Sequence, residues 1–240
     1  MNILGLDSAQ AACSVALSRA GKAPVTRYAE GAKNHAEILL PMVGEVLDEA
    51  GCAIGDLDGL GVTIGPGTFS GVRIALAAAR GLALVANLPV IGVTSLEAVA
   101  AKPLPENLQA GDGLRIASFD ARRGELYIQC FDAKLSPLSQ PALLPIADAV
   151  GLISGLPQGP LMGPLILSGT GAALLEDRLA GTGRQTRRTE VLFPDAATVI
   201  QLAAPRLEAQ LAKGADAPLP EPLYIRAPDA KLPANRGALV

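Results

Sequence analysis

The sequence predicts an α/β protein of two lobes, each a mixed sheet flanked by helices. Three observations predict it. Residues 1–103 read as three strands with short links, followed by alternating strands and helices. KPLPENLQAGDG (102–113), rich in Pro, Gly and polar residues, then breaks the hydrophobic pattern. Beyond it, LRIASFDARRGELYIQCFD echoes the opening ILGLDSAQAACSVALS: a hydrophobic strand ends in Asp and a return strand follows. The expected organisation is a first lobe over 1–103, a smaller second lobe with a returning helix over 104–214, and a Pro-rich tail over 215–240.

In order, NILGLDSA is a buried strand closed by polar turn residues. ACSVALSRAGK is a second strand, and Gly21-Lys22 turns the chain into a third, PVTRYAEG. Asn34 is placed to cap a helix over HAEILLPMVGEVLDEA, in which Ile38, Leu39, Met42, Val43, Val46 and Leu47 recur at helical spacing. Gly51 ends this helix, and Pro41 predicts a bend near Glu37. LDGLGVTIGPG is a strand running into a glycine turn, after which a helix extends to about Ala86. LPVIGVTSLEAVAA gives a further strand and helix. In the second lobe, LILSG and GAALLEDRLAG form a strand and helix, and DAATVIQLAAPRLEAQLAKG is a helix bent at Pro205. The tail, APLPEPLYIRAPDAKLPANRG, is expected to lie strapped on the surface.

Composition narrows the function. Of 240 residues, 50% are hydrophobic but only 3% aromatic, with no Trp, so the core is built from Ala, Val, Ile and Leu. A net charge of −3 offers no general attraction for nucleic acid. The N-terminus has neither a basic leader nor a cleavage site, and the uncharged run Gly81–Leu96 is interrupted and too short to span a bilayer. The three cysteines, Cys13, Cys52 and Cys130, are far apart and read as buried thiols of a reducing cytoplasm.

The turn GPGTFSG carries Gly65, Gly67 and Gly71 but no phosphate-reaching Lys, so it is not a Walker-type cradle. Its simpler role is a tight strand-to-helix turn capped by Thr68 or Ser70, with anion binding as the alternative. Gly71, Ala75, Ala78 and Ala79 form a small-residue stripe on the following helix, which is apolar nearly all round from Ile74 to Ala79. Part of that surface covers the chain's own sheet, and the remainder suits a second helix at close range. With the helix beginning at His35, it offers a two-helix face that a partner could cover, at about 800 Å² per side for a stable contact. Exposed faces of this kind also predict a homodimer when the partner is absent.

Other chemistry is thin. His35 is the sole histidine and has no companions at metal-ligand spacing, so no metal site is expected and His35 reads as a helix-start surface or interface residue. No G-x-S-x-G elbow or H-e-x-x-H pattern supports a protease. Asp7 and Asp120 each close a hydrophobic strand, which is either a polar end or the metal–nucleotide position of an actin-like phosphotransferase. LSGTG (167–171) is the nearest approach to an adenine site. Arg122–Arg123, followed by Glu125, and Arg184, Arg187 and Arg188, followed by Glu190, read as solvated faces, with RNA phosphate as the lesser alternative.

ILGLDSA, NHAEILLPMV, GVTIGPGTFSGVRIALAAARGLA, VIGVTSLEAVA, DARRGELYIQCF and PLYIR occur in the order and spacing of one family. From Asn2 to about Arg226 the chain resembles bacterial TsaB (YeaZ), least so between Leu135 and Pro160. The resemblance implies an actin-like (ASKHA, ribonuclease H-like) two-lobed fold. It also implies an accessory role without catalysis, with no cofactor beyond weak nucleotide binding. The implied partner is a TsaD-like subunit, which transfers a threonylcarbamoyl group to adenosine 37 of ANN-decoding tRNA. A TsaE-like ATPase joins that pair, tRNA is reached only through the complex, and the setting is cytoplasmic with no membrane.

Carried over to this chain, the pairing residues are His35, Ile38, Leu39, Met42, Val43 and Val46 on one helix. On the other they are Gly71, Arg73, Ile74, Ala75, Ala78 and Ala79. Asp7, Gly65, Gly67, Thr68 and Asp120 would be a vestigial nucleotide or anion site. The chain departs from the pattern in two places. TsaD-like enzymes carry two metal-binding histidines four apart, and the family's Asp-Thr-Ser is here Asp7-Ser8-Ala9. The competing expectation is a small actin-like ATPase or phosphotransferase using Asp7 and Asp120 with Mg-ATP.

Overall fold

The structure, a computed structural model, describes residues 1–31, 34–104, 113–156, 163–214 and 218–226. The first repeat comprises β1 (Ile3–Asp7), β2 (Ala12–Ser18), β3 (Val25–Glu30), α1 (His35–Ala50), β4 (Gly59–Thr63), α2 (Phe69–Ala86), β5 (Val90–Val93) and α3 (Ser95–Ala101). The second comprises β6 (Leu114–Asp120), β7 (Glu125–Phe131), β8 (Ala142–Pro145), α4 (Ile146–Ser154), β9 (Leu165–Ser168), α5 (Ala172–Leu179), β10 (Thr186–Arg188) and α6 (Ala196–Lys213).

The two sheets share one topology. Their orders are β3-β2-β1-β4-β5 and, reversed, β8-β7-β6-β9-β10. In each, the first three strands pair antiparallel and the last two join in parallel. The echo between the two Asp-ended strands is therefore a duplicated fold, the actin-like, ribonuclease H-like arrangement. Central strands β1 and β4 are buried along their whole length, as expected of strands covered on both faces.

Helices α1 and α2 cover one face of the first sheet through Leu39, Met42, Val43, Val46, Val72, Ala75, Leu76 and Ala79. The opposite face is covered by α6, whose Val199, Ile200, Ala203 and Leu207 pack with Ile3, Ala16, Ile91 and Val93. The helix that closes the second repeat thus completes the core of the first. Conversely, Leu96, Val99 and Ala100 of α3 pack with Ala117, Phe119 and Phe131 of the second sheet. Lys102 beside the end of α3 pairs at 2.8 Å with Asp195, the N-cap of α6, so the two exchanged helices are tied together.

Local expectations meet mixed outcomes. Gly51 closes α1 in a left-handed conformation, φ 57°. The Asn34 side chain does not cap α1: it donates to Glu37 Oε2 at 3.1 Å, and its main-chain carbonyl accepts from the helix instead. Both α1 and α6 continue through their prolines, Pro41 and Pro205. All three cysteines are buried free thiols. The linker at 102–113 and the tail lie largely outside the described residues, but residues 218–226 do strap across the molecule. Among the described residues, α2 is the one helix long and apolar enough to cross a bilayer by length and composition.

Candidate functional sites at the interlobe cleft and on the α1–α2 face

The glycine turn between β4 and α2 is packed against the β1–β2 loop. A Cβ on Gly67 would stand 2.2 Å from the Ala9 carbonyl oxygen, and one on Gly71 2.2 Å from that of Ser8. Thr68 N donates to Ala9 O at 2.8 Å, while Gly71 N donates to Thr68 Oγ1 at 3.1 Å, the cap foreseen from the sequence. Ser8 Oγ donates to the Gly71 carbonyl at 2.8 Å and Gln10 Nε2 to that of Pro66 at 3.0 Å. An anion at a helix start needs free amide donors. Those of Thr68 and Gly71 are already engaged inside the chain.

LSGTG is used in the same way in the second lobe. A Cβ on Gly169 would stand 2.1 Å from Ser118 O, and Gly171 N donates to that same oxygen at 3.0 Å.

The two aspartates occupy unlike settings. Asp7 is fully buried, and its Oδ1 accepts from Thr63 Oγ1 at 2.6 Å and Ala9 N at 3.2 Å. Among the described residues, its Oδ2 has no hydrogen-bond partner. Burial pushes the carboxyl up to about 6 against those two hydrogen bonds, which pull it down. Asp120 lies on the wall of an interlobe cleft of about 530 Å³, with Gln10, Thr68, Arg122, Tyr127, Thr170 and Arg226. Asp120 Oδ1 accepts from Arg122 N at 2.8 Å, and its own amide donates to Thr170 Oγ1 at 3.1 Å. Asp7 is fully buried and is not part of the cleft lining, whereas Asp120 is. Among the described residues no cluster of His, Cys, Asp and Glu has the makings of a metal site.

Arg122, Arg123, Arg187 and Arg188 lie on exposed surface, where Arg122 also pairs with Asp120 at 3.3 Å. Arg188 pairs with Glu176 at 2.9 Å, and Glu125 pairs with Arg226 at 2.7 Å.

On the helix face, the structure corrects which side looks outward. Leu39, Met42, Val43 and Val46 of α1, and Gly71, Ala75 and Ala79 of α2, are buried in the chain's own core. His35 is also buried, 8% exposed, and among the described residues its Nε2 has no hydrogen-bond partner. Ile38, Ile74 and Ala78 are half-buried at the edge of this core, and Arg73 is exposed. The small-residue stripe faces inward because small side chains let α2 approach its sheet as closely as they would let it approach a partner.

The outward side carries other residues: Leu40 at 55% exposure on α1, and Leu84 at 86% and Val85 at 80% on α2. Gly44 and Gly81, each within a helix and exposed, have open space where a Cβ would point. A mid-helix glycine costs up to about 1 kcal/mol relative to Ala, and no packing among the described residues accounts for either one.

A second feature escaped sequence reasoning. Phe69, 70% exposed, and Tyr224, 51% exposed, stack with ring centres 6.2 Å apart and planes 26° apart. Arg73 Cζ lies 3.2 Å from the Phe69 ring centre and 5.0 Å from that of Tyr224. Tyr224 rides on the C-terminal strap, which Leu223 N anchors to Ile64 O at 2.7 Å and Arg80 Nη2 anchors through Pro220 O at 2.7 Å. PLYIR held the clue to the strap, but Phe69 and Tyr224 are far apart in sequence and nothing local joins them.

The family model described as TsaD, tRNA N6-adenosine threonylcarbamoyltransferase, matches residues 29–234. The chain is 40% identical over 127 residues to the tRNA threonylcarbamoyladenosine biosynthesis protein TsaB of Escherichia coli, 53% of either chain. The matched region thus spans about half the length of such curated relatives. YeaZ from Pseudomonas aeruginosa is similar over 93% of this chain and 99% of its own, with TM-score 0.68 and 30% identity. A second Pseudomonas aeruginosa structure, described as similar to peptidase YeaZ, gives TM-score 0.75 and 29% identity over 94% and 99%. With the duplicated sheets, these likenesses place the chain in the TsaD family, in its TsaB (YeaZ) branch.

Proposed function

We propose that this chain is a non-catalytic scaffold and activator that pairs with a TsaD-like threonylcarbamoyltransferase in t6A modification of ANN-decoding tRNA. The observation that carries the reading is the outward face of α1 and α2. Leu40, Leu84 and Val85 are exposed there, and Gly44 and Gly81 leave room for other helices to lie close. Large exposed apolar side chains beside small residues are the make-up of a helix–helix contact. A TsaD-like partner, being a relative of this fold, would bring a comparable pair of helices.

The reading of no catalytic role is supported by the burial of Asp7 and by the Thr68 and Gly71 amides, which are engaged within the chain. On this reading the chain needs no cofactor of its own, and any nucleotide held in the cleft is held weakly. A TsaE-like ATPase joins the pair, and tRNA is engaged only through the complex, in the cytoplasm. The same α1–α2 face makes a homodimer when the transferase is absent.

The test is to mix the purified chain with the TsaD-type transferase encoded in the same genome and follow both by sedimentation. A complex of one copy each, required for threonylcarbamoylation of a transcribed tRNA, is the expected result. Two proteins sedimenting independently at micromolar concentrations would overturn the reading.

A further inference from the structure

The geometry points to a docking surface larger than the helix pair: the transferase seated on α2 also covers the Phe69–Arg73–Tyr224 stack, and the strap carries its docking to the second lobe. This inference rests on the pairing reading. Phe69, Arg73, Ala77, Gly81 and Leu84 follow one another at spacings of four, four, four and three along α2, so they share one outward face. The stack is the N-terminal end of that face, and Tyr224 extends it onto the strap. Exposed aromatic rings with an arginine over them are the residue types enriched in the cores of protein interfaces and among their energetic anchors.

The strap then leaves α2 for the other lobe. Two residues past Tyr224, Arg226 Nη2 donates to Ala121 O at 2.9 Å and to Glu125 Oε2 at 2.7 Å, gripping both ends of the β6–β7 hairpin. The hairpin holds Arg122 and Arg123 in the left-handed region, φ 64° and 58°, and forms part of the cleft wall. A body pressed on Tyr224 therefore acts, through Ile225 and Arg226, on the edge of the cleft. Stacking of an RNA base is the other use of such rings. It is disfavoured here by the net charge of −3 and by continuity with the apolar residues of α2.

The experiment uses the full chain and the transferase from the same genome. Tyr224→Ala and Phe69→Ala, both at exposed positions, are expected to weaken pairing fivefold or more while leaving the melting temperature unchanged. In hydrogen exchange, transferase binding is expected to slow amides in α2 and at 121–125 in the native chain, but only those in α2 in Arg226→Ala. Native affinity in both aromatic variants, where Leu84→Glu no longer binds, would overturn the inference and leave the pairing reading standing. Slowing at 121–125 that persists in Arg226→Ala would overturn the coupling. Undiminished binding by Leu84→Glu as well would overturn both readings. Binding of transcribed tRNA by the chain alone, lost in Tyr224→Ala, would overturn protein docking in favour of a base platform.

Discussion

Gly67 and Ala9 meet backbone to backbone, with only 2.2 Å between the Ala9 carbonyl oxygen and the place a Gly67 Cβ would occupy. The turn and the β1–β2 loop are thereby locked together, and the Thr68 amide bonds across the same contact at 2.8 Å. Gly67→Ala forces one backbone off the other, and overpacking of this kind costs about 1–3 kcal/mol. The expected result is a lowered midpoint in chemical denaturation. A turn built to hold a ligand instead would tolerate the methyl group in the free chain, so unchanged stability would count against the lock.

Asp7 makes a pH-dependent contribution of defined sign. Its folded-state value, about 6, lies above the ordinary 3.8, so the folded protein binds the proton more tightly than the unfolded chain does. Stability from this group is full below about pH 4 and falls as pH rises through 6. Above that, keeping the carboxylate buried costs up to about 3 kcal/mol. Asp7→Asn resembles the protonated acid in shape and still accepts from Thr63. It is expected to be more stable than the native chain at pH 7.5, with the gap closing near pH 4. An equal gap at both pH values would remove the cause assigned here.

Most strands, the echo between the two lobes and the capped turn were legible because each depends on neighbours in sequence, whereas β8, α4, β10 and the order of the strands were not read. Alternation marks β2, and the repeat of a hydrophobic strand ending in Asp marks β1 and β6. The orientation of α2 was not legible. A helix apolar nearly all round from Ile74 to Ala79 carries no signal of which apolar side meets its own sheet. The inward turn of Ala75 and Ala79 is decided by close packing with the first sheet. Likewise the stripe on α6 shows that it covers a sheet without saying which one, and it covers the other repeat's. Asp7 was singled out because it ends a hydrophobic strand, as a polar residue does in many sequences. Only the fold shows that it is fully buried and hydrogen-bonded by Thr63 and Ala9.

Asp195 works in the opposite direction to Asp7. Burial pushes its carboxyl up, but the Lys102 ammonium and the Thr198 amide outweigh burial and hold it below 3.8. A carboxyl depressed in this way contributes stability above its unfolded value and loses it as pH falls through the folded one. Asp195→Ala removes both the α6 cap, accepting from Thr198 N at 2.7 Å, and the 2.8 Å pair to Lys102. A loss of about 1–2 kcal/mol at pH 7 is expected. Asp195→Asn keeps the cap and is expected to lose less. Thermal melts of the two variants at pH 7 and pH 3 check both statements, and equal losses would show that the cap contributes little.

Charge placed on α2 separates its two sides. Ala79 is 0% exposed and Leu84 86% exposed. Ala79→Glu buries an unpaired carboxylate in the first core and is expected to unfold the chain or lower its melting temperature by many degrees. Leu84→Glu is expected to leave the fold intact and abolish association with the transferase, measured by sedimentation. Gly81→Ala gives the most specific outcome. A methyl group there meets open space in the free chain and improves helix propensity by up to about 1 kcal/mol, so the free chain becomes more stable. If another helix lies against that glycine, the same methyl group props the two apart and pairing weakens. A gain in stability together with a loss in affinity is what a close helix contact requires. A gain in stability with native affinity would move the contact away from this part of α2.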